Sequence, residues 1–205
     1  MLFRLQILLI IGGIALGIYS FQEMRAGTGA SADPVAVELA DLEAGTPAPD
    51  KHLQVGDHIA LYHGTFYQWE QQNNEPENGG SRVTKAYYPI ISPTHPYAEG
   101  MDADADLESF AVLVKTNRFS TIGEIPDMPG PVQSISGLTR PASVALESDF
   151  QDLLRSDYPG INLDQILVLE DGRQPTSVAL GIIMMLASAA LIAAGGAWMF
   201  ASARS

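Results

Sequence analysis

Both ends of this 205-residue chain are apolar over stretches long enough to cross a bilayer, and everything between them is acidic. Residues 5–21, LQILLIIGGIALGIYSF, form a 17-residue run whose one strongly polar side chain, Gln6, lies at its edge. This is the short end of the spanning range; Arg4 can extend it by snorkelling, and Tyr19 and Phe21 suit the opposite interface. Residues 178–201, VALGIIMMLASAALIAAGGAWMFA, form a 24-residue run with one hydroxyl, Ser188, and no charge. At about 1.5 Å per residue such a helix is about 36 Å long and crosses the hydrocarbon core with some tilt. Thr176 and Ser177 follow Pro175 and can cap its start, and Trp198 and Phe200 fall at the far interface.

These runs divide the chain into a cytoplasmic N-terminus (1–4), a first transmembrane helix (5–21) and a small polar tether (22–34). An acidic β-rich extracytoplasmic domain (35–175), a second transmembrane helix (176–201) and a cytoplasmic C-terminus (202–205) follow. The orientation rests on Arg4 and Arg204 at the short ends, because basic residues favour the cytoplasmic side. Arg25 and Arg173 lie on the other side beside Glu23, Glu170 and Asp171. The expectation is a multi-pass protein of the cell (inner) membrane. A cleaved secretory signal ending at Ala30-Ser31-Ala32 is the alternative, and the long apolar run and the polar stretch after it favour an uncleaved anchor. Gly13 and Gly17 on the first helix, and Ala189, Ala193, Ala197 and Ala201 on the second, recur at four-residue spacing. Such small-residue faces allow close helix packing in lipid.

All 24 acidic residues, and all of the 11 basic ones except Arg4 and Arg204, lie between the two apolar runs, leaving that region at −15. This balance repels phosphate backbones, so nucleic acid is not an expected partner. Without cysteine the domain has no disulfide, thiolate metal site or cysteine nucleophile, and must be held by its own core.

That core reads as mainly β. Strands are expected at Val35–Leu39, His58–Glu70, 82–91, Phe110–Val114 continuing to Phe119, Val132–Leu138 and Gln165–Leu169. The turn cluster QQNNEPENGGS at 71–81 makes the second and third of these a long hairpin, with Gly64 as a bulge or bend. One helix is expected after Ser148, with Ser148 and Gln151 at capping-box spacing and Tyr158-Pro159-Gly160 ending it. The fold class is therefore two transmembrane helices flanking a small β-barrel or sandwich with one short helix.

No set of residues specifies a reaction, and none is assigned as catalytic, cofactor-binding or metal-ligating. His52, His58 and His63 lack the two-residue spacing that would put a metal-binding pair on one strand face, and read as surface or hydrogen-bonded histidines. Asp102, Asp104 and Asp106 resemble the start of a calcium loop, but Leu107 and Leu113 occupy the places of its glycine and glutamate; an exposed acidic loop is the reading. Tyr62, Phe66, Tyr67, Trp69, Tyr87 and Tyr88 fall on the hairpin, as cross-strand core pairs or as a ligand or partner surface.

The stretches VTKAYYPII (83–91), FAVLVKTNRF (110–119) and VQSISGLTRP (132–141) follow one another between two apolar helices. In this order of features the chain resembles the Surfeit-type cytochrome oxidase assembly proteins, which are built as two membrane helices around an extracytoplasmic β-domain. The resemblance implies an assembly role. It carries no residue function, since 22–34 lack the family's tryptophan and Asn117-Arg118-Phe119 stands at its arginine-glycine-tryptophan element. The expected function is a non-enzymatic accessory or assembly factor that sits in the bilayer and contacts another membrane protein. The alternative is an extracytoplasmic ligand or cation sensor using the acidic domain.

Overall fold

The computed structural model describes residues 2–70, 76–99, 107 and 109–203. It divides into two compact units, one formed by residues 1–32 with 175–205 and the other by residues 33–174. In chain order the first unit opens with α1 (Leu2–Gly27). The second holds β1 (Val35–Val37), α2 (Leu39–Glu43), β2 (His52–Val55), β3 (His58–Ala60), β4 (Phe66–Trp69), β5 (Val83–Ile91), α3 (Pro96–Glu99) and β6 (Val112–Thr116). It continues through β7 (Gly130–Val132), β8 (Ile135–Pro141), α4 (Ala142–Ala145), α5 (Ser148–Asp157) and β9 (Leu167–Asp171). The chain closes on α6 (Val178–Ala203) in the first unit.

In the helical unit α1 and α6 pack as an antiparallel pair, and both are long and apolar enough to cross a membrane. Its large side chains point outward: Leu8 is 63% exposed, Ile183 61% and Leu186 66%. What is buried is small or polar, with Gln6, Gly13 and Ser20 on α1 and Gly181, Ser188 and Gly195 on α6. On each helix these residues recur every seven positions, so one seam of each faces the other along its length. Ser188 Oγ donates to the Gly13 carbonyl at 2.7 Å, Ser20 Oγ to the Leu16 carbonyl at 2.7 Å and Gln6 Nε2 to Ser202 Oγ at 2.8 Å. The buried hydroxyls of Ser20 and Ser188 are thereby satisfied within the pair. At the other end of the pair Thr176 Oγ1 donates to Glu23 Oε2 at 2.9 Å.

Two features of the helices differ from the sequence expectation. The helix α1 continues through residues 22–27, assigned above to the tether, and Thr28 Oγ1 bonds the Met24 carbonyl at its end. Gly13 and Gly17 do face α6, meeting Ser188, but Ala189, Ala193, Ala197 and Ala201 lie exposed, off the seam. The seven-residue series of Gly181, Ser188 and Gly195 takes the seam because a glycine or a hydrogen-bonded serine at each layer admits the facing backbone.

The second unit is a curled mixed sheet, a half-barrel, in the order β1-β2-β8-β9-β6-β5-β3-β7, with β4 also paired to β5. Most pairs are antiparallel; β1 with β2 and β6 with β9 are parallel. The central strands are buried on both faces, so they read in sequence as continuous apolar runs. Alternate residues go to opposite sides: Tyr87, Ile91, Leu113 and Val168 pack with α4, α5 and the loop after it. On the other side Tyr88, Ile90, Val112, Val114 and Leu169 pack with Leu39 and Leu42 of α2. The expected hairpin is present, with Phe66 opposite Tyr87, but its first strand is broken by a 3-10 turn at Tyr62–Gly64. Tyr62 and Phe66 thereby reach different faces, Tyr62 against Tyr88 (ring centroids 4.9 Å) and Phe66 towards Tyr158 (6.4 Å).

The remaining expectations move by a few residues. The Val132–Leu138 strand is two strands, β7 and β8, separated by a bend, and β2 and the short helices α2 and α4 have no counterpart in the sequence reading. The helix α5 forms, but the capping box does not: Glu147 is the N-cap without a side-chain bond, and Gln151 Nε2 instead bonds the carbonyls of Ser143 and Leu146. Gln151 thus ties α5 to α4 and satisfies two carbonyls there with one amide. Gly160 at φ +100° ends the segment as expected.

Candidate functional site

The β-domain has a large concavity, about 1340 Å³. Its floor is the buried ends of Leu61, Phe110 and Ile166, where the sheet gives way to loops. One wall is the turn after α2, from Leu42 to Ala48; the other is the segment after α5, from Asp157 to Ile161, and Tyr97 on α3. These walls stand because their bases are pinned. The Glu43 carboxylate accepts from Ser92 N at 2.8 Å and Ser92 Oγ at 2.5 Å, holding the α2 turn to the end of β5. Tyr158 packs edge-on against Phe110 (5.2 Å), and Ser143 Oγ donates to Asp164 at 2.5 Å.

Polar groups around the cavity include carboxylates, imidazoles and phenols. His63 Nε2 and Tyr97 OH lie 3.3 Å apart, and the Tyr97 amide donates to His95 Nδ1 at 3.2 Å. Burial pushes the Tyr158 hydroxyl above its usual range, and the neighbouring Asp157 and Tyr97 add to this, so it stays a neutral donor. Glu43, Asp157 and Asp164 line the cavity, and among the described residues no lysine or arginine does. Of the sequence candidates His63 lines the cavity, whereas Tyr62 and Phe66 do not; Tyr97, Tyr158 and Glu43, which line it, are marked by no local pattern.

The three histidines singled out by sequence do not come together. His52 lies buried on β2, His58 buried on β3, and His63 exposed at the cavity. Among the described residues no group of three or more His, Asp or Glu side chains is arranged to hold a metal ion. The Asp102–Asp106 loop lies outside the described residues.

Two buried titratable groups are structural. At the strand end leading to residue 174, Glu170 accepts ion pairs from Arg140, Arg173 and Lys115, while Asp171 pairs with Arg118 at 2.7 Å and accepts from Thr116 Oγ1 at 3.1 Å. Burial alone would raise the Glu170 pKa, but the Arg173 hydrogen bond and the charges of Lys115, Arg173 and Arg140 outweigh it and hold it below the usual carboxylate range. His58 is 1% exposed; its Nδ1 donates to the Gly56 carbonyl at 2.8 Å and its Nε2 has no partner. Burial lowers its pKa against the opposing pull of that hydrogen bond and of Asp57.

The two shifts give a two-step acid dependence. His58 binds its proton more readily in the unfolded chain, so stability falls as pH drops below about 6.5, the unfolded histidine value. Glu170 stabilises the fold above about 4.5, and its contribution is lost as pH falls further, through its depressed folded value. Urea unfolding across pH 2–8 should show both, and His58→Phe should flatten only the upper one. A His58→Phe profile unchanged between pH 5 and 7 would assign the upper step to other groups.

No family model matches this chain, and no curated protein or solved structure matches it either.

Proposed function

We propose that this chain is a two-pass integral protein of the cell membrane, with both termini cytoplasmic. It acts as a non-enzymatic accessory or assembly factor that contacts another membrane protein. The observation that carries the reading is the inside-out helical pair, in which Gly13, Ser20, Gly181, Ser188 and Gly195 are buried while Leu8, Ile11, Ile18, Ile183 and Leu186 are exposed. In water such a girdle would aggregate; in lipid it costs nothing, and the polar seam drives the two helices together. The alanine face of α6 is free of the seam, so it is open to a third helix. The order of strands that resembles the Surfeit-type assembly proteins supports the same role.

Affinity purification of the full chain from detergent-solubilised native membranes should recover one membrane protein in constant ratio. Ala193→Leu combined with Ala197→Leu should reduce that recovery about tenfold or more while leaving the α1–α6 pair intact, because bulk on a small-residue face blocks close approach. A chain that runs as a monomer on native gels and recovers no partner would contradict the role. The cavity favours a second reading, an extracytoplasmic ligand sensor, which predicts a small-molecule-dependent rise in melting temperature and no dependence on the alanine face.

A further inference from the structure

The concavity beside α2, α3 and the loop after α5 has no part in the accessory role as argued so far, and its size and charge narrow what it can hold. Pockets for small molecules run to about 300–1,000 Å³, and this one, at about 1340 Å³, exceeds that range. Its floor of Leu61, Phe110 and Ile166 is apolar, and the phenols of Tyr97 and Tyr158 flank it. Among the described residues every formally charged side chain on its wall is a carboxylate: Glu43, Asp157 and Asp164. Of these Glu43 is spent on Ser92 and Asp164 on Ser143, whereas Asp157 ends α5 exposed to solvent beside Tyr158.

We infer that this cavity receives a segment of a partner polypeptide, with a lysine or arginine set over Tyr97, Tyr158 and Asp157 and neighbouring aliphatic side chains on the apolar floor. A cation is attracted both by the carboxylate and by the faces of aromatic rings, and an arginine or lysine stem covers apolar surface as it reaches them. A partner segment bearing a carboxylate would meet like charge on every wall. The inference rests on the accessory-factor reading and names the surface by which the β-domain takes part in it.

The test uses the full chain in nanodiscs and a positional-scanning library of octapeptides read by fluorescence polarisation. Lysine or arginine should be enriched at one position with leucine, isoleucine or phenylalanine beside it, and the binding should weaken as salt is raised. Asp157→Asn, at an exposed site that leaves the core untouched, should weaken the best basic peptide about threefold or more. Gln165→Arg, which puts a competing cation into the wall at an exposed position, should weaken it about tenfold or more at an unchanged melting temperature. Enrichment of acidic residues, no enrichment at any position, or binding indifferent to both substitutions would overturn the inference. If the library fails while the membrane partner still co-purifies, only the cavity assignment falls; if co-purification fails too, the accessory reading falls with it.

Discussion

Gly137→Val should abolish folding of the β-domain. Gly137 sits on β8 directly opposite Asp171 of β9, and a Cβ built on it would run into the Glu170 carbonyl, 2.8 Å from its carbon and 3.1 Å from Leu169 Cδ2. The obstacle is backbone in the middle of the sheet, hydrogen-bonded on both sides, so it cannot swing aside as a side-chain end would. Overpacking in a core costs about 1–3 kcal/mol when side chains can adjust, and here the ladder itself must part. It would part at Glu170, the carboxylate on which Arg140, Lys115 and Arg173 converge. Losing that alignment leaves three cations facing one another, so a total of about 4 kcal/mol or more is expected, a large share of a domain's stability. Urea unfolding of the full chain in detergent, followed by Trp69 fluorescence in a Trp198→Phe background, would measure it. Gly45→Ala, at a glycine with φ +85° but open space around it, should cost only about 1 kcal/mol. A Gly137→Val protein as stable as Gly45→Ala would show that β8 and β9 are not paired as described.

Gly13→Ile and Gly12→Ile should behave oppositely although the residues are neighbours. A Cβ on Gly13 would lie 2.7 Å from Ile192 Cγ1 and 3.0 Å from the Ser188 carbonyl, whereas a Cβ on Gly12 meets nothing within 4 Å. The first substitution wedges the seam open and breaks the hydrogen bond that Ser188 donates to the Gly13 carbonyl. The steric cost is about 1–3 kcal/mol and the lost hydrogen bond adds about 0.6–1.7 kcal/mol. The second adds an apolar side chain to the outward face. Ser188→Ala, which removes only the hydrogen bond, should fall between them. Co-purification of the two helices expressed as separate membrane fragments, residues 1–32 and 175–205, without the sheet that would otherwise hold the halves together, reads the difference as retained or lost association. Loss in both glycine variants would place the helix interface elsewhere.

Both helices were legible because length and the absence of charge are properties of a single run of sequence. Their seam was not, although a signal for it existed: Gln6, Gly13 and Ser20 against Gly181, Ser188 and Gly195 recur every seven residues. The alanines at four-residue spacing drew the eye because alanine is small everywhere, whereas the seam mixes glycine, serine and glutamine. In the domain, β5, β6 and β9 were legible as apolar runs buried on both faces. The strand β2, HLQV, was not, because it is short and two of its four residues are polar. The break between β3 and β4 was half-legible: Gly64 marked a bend, but the turn begins at Tyr62. The cavity could not be read at all. Its walls come from α2, α3 and the loop after α5, each ordinary alone, and only the sheet brings them to one place.

The central claim, that the helical pair stands in lipid with its small polar seam inside, is tested most directly by labelling single cysteines. The chain has none of its own, so each introduced thiol reports alone. Leu8→Cys and Ile183→Cys, on the outward face, and Thr46→Cys, on the exposed α2 turn, would be treated in intact cells and then in open membranes with a membrane-impermeant maleimide. The account predicts rapid labelling of Thr46→Cys from outside the cell and no labelling of Leu8→Cys or Ile183→Cys under either condition until detergent is added. Labelling of Leu8→Cys and Ile183→Cys in open membranes at the rate seen for Thr46→Cys would mean that the outward face meets water, and would contradict the account.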